Sequence, residues 1–309
     1  MKEKVMVFGS FVVDLMSRAT HLPKPGETVR GNEFNIGPGG KGFNQAVASH
    51  KSGADIITVT KIGNDTFGKI ALHIANDIGM NSKGFIISEK DSTGSALICV
   101  DEITAENQIL IVPGACNTIQ KEEIDSLDEL LDDVSYLLIQ YEVNQDANEY
   151  IIKKAIEKGA KIILNPAPYQ KVNDEFLANV NTITPNETEV KGLTGVEVID
   201  LETARQAKDV LLSKGIKNVV ITLGVNGSYI YSDGKDLIIP SYKVTAVDTT
   251  GAGDAFNGGL LTSLSEGNNL FDAAKFATAV SAALSVQKKG TAISMPTREE
   301  IDLFIEKNN

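Results

Sequence analysis

The chain has 309 residues, room for one large α/β domain with an appendage or for two ordinary domains. With 42% hydrophobic and 23% charged residues it is not a disordered chain. A formal charge of -12, from 29 Lys and Arg against 41 Asp and Glu with no basic block, argues against nucleic acid or an anionic membrane and favours a small neutral ligand.

In chain order, residues 1–4 lead straight into a strand-like run at 5–8, with no long apolar segment or small-residue cleavage site, so a cytoplasmic location is expected. Residues 11–36 break the strand and helix rhythm. A helical pattern follows at 43–52, a strand at 56–59 and a helix at 67–78. The rhythm breaks again at 92–112, where 95–100 and 108–112 read as a hairpin around a polar turn. Strands at 136–139, 161–164 and 219–222 then alternate with helices at 147–158 and 201–214, and an amphipathic helix over 298–307 closes the chain.

Several of these helices stop at a glycine (Gly53, Gly79, Gly159, Gly215), the residue that tolerates the left-handed turn past a helix end. The alternation predicts an α/β fold: a doubly wound, mainly parallel sheet with helices on both faces. The two irregular stretches predict a small β-sheet lid over the carboxyl ends of the strands, all within a single domain over 1–309. Cys99 and Cys116 have neither redox nor metal spacing, and His21, His50 and His73 are not at ligand spacing.

The strongest motif lies at 247–258, where a strand end, a glycine turn and a helix start follow one another. Backbone N–H groups of Gly251, Ala252, Gly253 and Asp254 at such a helix N-terminus can form an anion hole for a phosphoryl group. Asp254 then stands in the first turn, placed to take a proton from an attacking hydroxyl, although an aspartate there also serves as a helix cap. A second glycine cluster, at 37–46, matches G-x-G-x-x-G by letter. The first strand does not immediately precede it, which excludes a dinucleotide site, and no Gly-Lys pair is followed by Ser or Thr, which excludes a P-loop.

Together, Gly39-Gly40-Lys41-Gly42-x-Asn44-Gln45 and Asp248-Thr249-Thr250-Gly251-Ala252-Gly253-Asp254 are similar to the two signatures of the ribokinase, or PfkB, carbohydrate kinase family. Asn165-Pro166-Ala167-Pro168, Thr184-Pro185-Asn186-Glu187 and Thr222-Leu223-Gly224 fall in family order, and the chain looks like the ribokinase branch. The resemblance implies an α/β domain with a β lid, shared between the two subunits of a homodimer. It puts the sugar on Val12, Val13, Asp14, Gly40, Lys41, Gly42, Phe43, Asn44 and Glu142, with Asp254 taking the proton of the 5-hydroxyl.

For ATP the resemblance implies Asn186, Thr222, Leu223, Gly224, Val225, Asn226, Gly227, Gly253, Asp254 and Thr278. Mg²⁺ is expected near Asn186, Glu187 and Glu189, partly through water. K⁺ is implied as an activator against Asp248 and Thr250, with Ser285, Lys288, Gly290 and Ser294 nearby. One departure stands out: the family often has Asn two residues before the first aspartate, and this chain has Val12. D-ribose is therefore the first expected substrate and 2-deoxyribose the second, because an apolar residue leaves no buried polar group unpaired by the deoxy sugar. A non-catalytic sugar sensor is the reading from another class, and the retained Asp254 argues against it.

Overall fold

The computed structural model describes residues 2–104 and 106–308. From the N-terminus the elements are β1 (Lys4–Phe8), β2 (Val12–Ala19), β3 (Glu33–Gly39), α1 (Lys41–Lys51), β4 (Asp55–Gly63), α2 (Thr66–Asp77), β5 (Phe85–Ser88), β6 (Thr93–Asp101) and β7 (Asn107–Gly114). Next come α3 (Lys121–Asp125), β8 (Val134–Ile139), α4 (Gln145–Glu157), β9 (Lys161–Leu164), α5 (Asp174–Leu177), β10 (Thr182–Ile183), α6 (Glu187–Thr194) and α7 (Leu201–Ser213). The last are β11 (Asn218–Thr222), β12 (Ser228–Ser232), β13 (Lys235–Ile239), α8 (Ala252–Ser265), α9 (Leu270–Thr278) and α10 (Arg298–Asn308).

One sheet has the strand order β13-β12-β11-β10-β9-β8-β1-β4-β5. Every pairing from β5 across to β11 is parallel, and β12 and β13 add an antiparallel edge. Strands covered on both faces must be apolar on both, which is why the central runs read as continuous hydrophobic stretches. In β1, Val5 and Val7 pack into a core with residues of α1, α8 and α9. Met6 and Phe8 point the other way, into a second core with residues of α4 and α7. The expected doubly wound α/β architecture is therefore present.

The chain winds from β1 to β4 and β5, then crosses back to β8 and runs on to β9, β10 and β11. Strand order reverses between β1 and β8, and ligands of open α/β sheets bind beyond the carboxyl ends at such a reversal. Gly9 follows β1 and Gln140 follows β8 at that crevice. A Cβ on Gly9 would collide with Gln140 Oε1 and would lie 2.8 Å from Gly42 Cα, so the backbone of α1 can approach β1 only because both positions are glycine.

The second sheet has the order β3-β2-β6-β7, with β2 and β6 parallel and the other two pairings antiparallel. Its outer strands expose Phe34, Ile36, Ile109, Leu110 and Ile111. The edge hairpin of the large sheet was not anticipated from the sequence. Its turn holds Asp233 and Gly234 at φ 49° and 78°, the left-handed pair that a tight hairpin requires.

Candidate active site

α1 and α8 each begin from a glycine in the left-handed region, Gly40 at φ 87° and Gly251 at φ 78°. The two helices then pack against each other closely. At Gly258 a Cβ would stand 2.5 Å from Ala48 Cβ and 2.7 Å from the Gln45 carbonyl oxygen. This contact brings the first turns of both helices to the crevice beside β1 and β8.

Asp254 lies in the first turn of α8 and is 6% exposed. Asn44 Nδ2 donates to its Oδ2 at 3.0 Å, and Gln45 Nε2 donates to its Oδ1 at 2.9 Å. Asn44 Oδ1 is buried and meets no protein donor, an acceptor that a ligand hydroxyl can satisfy. A cavity of about 180 Å³ opens in front of Asp254, bordered by Lys41, Asn186, Glu189, Thr222 and the 251–253 turn. The negative charge of Asp254, opposed by partial burial and helped by Glu142 and Glu189, holds the Lys41 ammonium above its ordinary range. A fixed cation and a carboxylate therefore face one small cavity at a helix N-terminus, an arrangement able to bind phosphate and accept a proton.

Glu142, beyond β8, accepts from Ser10 Oγ at 2.5 Å and from the Lys41 backbone N–H at 2.8 Å, which ties the helix start to the end of β1. Asp14 on β2 comes over the same crevice. Gly39 opposite leaves the space its carboxylate fills, since a Cβ there would overlap Asp14 Oδ1 and Cγ. Burial, then the charges of Glu142 and Asp254, pushes the Asp14 carboxyl up from the ordinary 3.8 to about 6. Asp14, Glu142 and Asp254 are thus close enough to feel one another's charge, Asn44 is bonded to Asp254, and Lys41 and Asp254 border the cavity itself.

Val13 and Phe43 do not bring their side chains there. Both are fully buried in the core, where Phe43 packs edge-on against Phe11 with ring centroids 4.9 Å apart. Val12 is also buried, on β2 between Gly39 and Gly94.

The proposed nucleotide residues fall into two groups. Asn186 caps α6 through a capping box with Glu189, whose Oε2 accepts from the Asn186 backbone N–H at 2.9 Å. Thr222 sits alongside, bridged to Asn186, and the turn through Leu223, Gly224, Val225, Asn226 and Gly227 follows it, with Val225 90% exposed. Thr278 stands apart as a buried residue whose hydroxyl donates to the Ala274 carbonyl. The Ala252 N–H, expected to face an anion, donates to the Thr249 carbonyl at 3.2 Å.

Of the residues expected around a monovalent cation, Asp248, Thr250 and Gly290 come together. Asp248 accepts from the N–H groups of Thr250 at 2.9 Å and Gly290 at 3.2 Å. Burial works to raise the Asp248 carboxyl, and these hydrogen bonds outweigh it, leaving the group below its ordinary range. Ser285 and Ser294 are buried close by in sequence, with their hydroxyls donating to Ser281 and Thr291 carbonyls, while the Lys288 ammonium turns outward to Glu300. The donor set is all hard oxygen, which suits an alkali cation. Among the described residues no group of three or more His, Cys, Asp or Glu is arranged to hold a metal. A divalent ion here would draw its ligands from Glu187, phosphate and water, the usual pattern for Mg²⁺.

Gln45 and Asn165 stand in the sequence motifs without a role of their own, and Gly9 and Gln140 lie outside them. All four meet behind Asp254. The one available signal was polarity immediately after strands β8 and β9, where a buried amide must have a partner.

A profile of the family described as pfkB family carbohydrate kinase matches residues 2–298. The chain is 39% identical over 306 residues to a ribokinase of Haemophilus influenzae, covering 99% of both chains. It is 33% identical to a deoxyribokinase of Salmonella typhi, over 98% of this chain and 99% of that one. The structure of Arabidopsis thaliana ribokinase complexed with ribose and ATP superimposes with a TM-score of 0.93 at 29% identity, over 99% of each chain. Two glycine-started helices meeting at one carboxylate, and matches that run the length of the chain, lead to one conclusion: it belongs to the pfkB family of carbohydrate kinases and is a sugar kinase.

Proposed function

We propose that the chain transfers the γ-phosphoryl group of ATP to the 5-hydroxyl of a pentose, D-ribose first. The observation that carries this is Asp254, buried at a helix N-terminus and facing a cavity shared with Lys41. Asp254 takes the hydroxyl proton as the sugar oxygen forms its bond to the γ-phosphorus and the bond to the bridging oxygen breaks, releasing ADP. Lys41 and the backbone N–H groups of Gly251 and Gly253 offset the charge on the moving group. Asp14, Asn44 and Glu142 hold the sugar hydroxyls. Asn186 and the 222–227 turn, with Gly253, form the nucleotide side.

Asn186, Glu187 and Glu189 would hold Mg²⁺, partly through water, and the ion would offset phosphate charge; Asp248, Thr250 and the 285–294 segment would hold K⁺ as an activator. The relatives named above act on ribose or deoxyribose and one is complexed with ATP, which supports both substrates here.

The four-stranded sheet serves as a lid within a single domain, and its exposed apolar face supports a homodimer paired through it. Both cysteines are free, which suits a reducing cytoplasm. No helix among the described residues is long and apolar enough to cross a membrane.

Val12 favours a second reading, 2-deoxyribose, because its buried apolar side chain offers no hydrogen bond to a sugar hydroxyl. The test is kcat/KM with Mg-ATP for D-ribose, 2-deoxy-D-ribose, fructose and adenosine in potassium buffer. A pentose ahead by about a hundredfold, some 2.7 kcal/mol, supports the proposal. Inert acceptors with intact sugar binding would replace it with a sensor.

A further inference from the structure

Behind Asp254 lies a chain of buried side-chain amides that the phosphoryl-transfer reading does not use. Gln45 is at its centre, fully buried on α1. Its Nε2 donates twice, to Asp254 Oδ1 at 2.9 Å and to Asn165 Oδ1 at 3.0 Å. Its Oε1 accepts from Gln140 Nε2 at 2.6 Å. Asn165 is turned by its own Nδ2, which donates to the Thr184 carbonyl at 3.1 Å and leaves Oδ1 for Gln45. Residues that follow β8, β9 and β10 therefore hold one amide, and that amide holds the carboxylate.

The arrangement admits one orientation. Turned end for end, Gln45 would set its oxygen against the oxygens of Asp254 and Asn165, and its N–H groups against those of Gln140. Each reversal replaces a hydrogen bond by a like-dipole contact among side chains that are each less than a tenth exposed. Asn44, the preceding residue, holds Asp254 Oδ2, so two consecutive side chains of one helix fix both oxygens and hence the plane of the carboxylate.

We infer that Gln45, locked by Gln140 and Asn165, is a positioning residue for Asp254: it sets the plane of the carboxylate that meets the incoming hydroxyl. The inference rests on the reading of Asp254 as the base. Gln45 touches neither sugar nor nucleotide in this role. Its removal should therefore act on turnover, with sugar affinity left alone.

The experiment uses the full chain with Gln45→Met, Gln140→Met and Asp254→Asn. It measures kcat and sugar KM by ADP release, with sugar affinity by calorimetry and thermal midpoints alongside. Gln45→Met is expected to lower kcat by about tenfold or more and leave KM within about twofold. Gln140→Met should lower kcat by less, again with KM unmoved. A kcat within about twofold of wild type in a folded Gln45→Met, or a fall in kcat matched by an equal loss of sugar affinity, overturns the inference and leaves Gln45 as packing. If Gln45→Met does not fold, the kcat-against-KM split of Gln140→Met decides in the same way. Asp254→Asn separates the two failures. Wild-type turnover in that variant removes the base itself, whereas a dead Asp254→Asn beside an unmoved kcat in Gln45→Met removes only the positioning role.

Discussion

The floor of the site and the four-stranded sheet above it are built on opposite terms. The floor is dry and closed: Gln45, Gln140, Asn165 and Asp254 are each less than a tenth exposed, and glycines at 9, 42 and 258 let the backbones come together. The small sheet leaves apolar side chains in the open, Leu110 at 62% exposure among them, and Thr291 Oγ1 donating to the Pro38 carbonyl at 2.8 Å ties it to the segment after α9. One region owes its geometry to contacts already made within the chain. The other leaves an apolar face exposed, so a change in the floor should strike chemistry and a change in the sheet should strike binding or assembly.

The largest effect is expected at Asp254. Asp254→Asn should cut turnover by about 10²-fold or more while sugar binding by calorimetry stays near wild type; a large loss of affinity would blur the division between the regions. Gly258→Ala tests the floor by wedging α1 from α8. The new Cβ meets Ala48 Cβ and backbone of α1, and a loss of about 1–3 kcal/mol in denaturant unfolding, with lower kcat, is expected.

Asp14 belongs to the sheet but faces the floor, and Asp14→Ala should raise sugar KM by about tenfold with a smaller change in kcat. Its titration gives a sign. Burial disfavours the ionised carboxylate, so folding gains from the protonated form below about pH 4, and that gain is lost as pH rises through about 6. Asp14→Asn should therefore melt higher than wild type at pH 8, with the difference closing as pH falls through 6, in paired thermal scans. The smallest effect on chemistry belongs to Leu110→Asp, which should lower the solution mass seen by light scattering and leave the monomer's thermal midpoint nearly unchanged; an unaltered mass would show that the exposed face is not the pairing surface.

The sequence made much of this visible because glycine carries a conformational signature. Gly40 and Gly251 must adopt positive φ where helices start beside a ligand, and clusters of glycine before an apolar helical pattern mark that directly. The short β-branched runs marked the central strands because a sheet covered on both faces demands them. Phe43 shows the limit of reading by proximity. It stands inside the sugar-binding motif, yet helical geometry turns its ring into the core while Asn44 and Gln45 reach Asp254. Gln140 shows another. A lone amide after a strand has no period, and its meaning comes from a partner 95 residues away. The β12–β13 edge was readable, since Asp233-Gly234 is a strong hairpin signal between two strand-like runs.

Asn44 and Asp254 are 210 residues apart in the chain. During synthesis the N-terminal strands, α1 and the motif that opens it emerge long before α8 exists, and no nascent piece that stops short of Asp254 can assemble the carboxylate with its amides. Until then the face of α1 that carries Asn44, Gln45 and Ala48 has no helix to cover it. Long-range closure of this kind is slow relative to local folding. The growing chain accordingly lacks the Asp254 carboxylate, and the seam of α1 that packs on α8 stays uncovered until that helix is made.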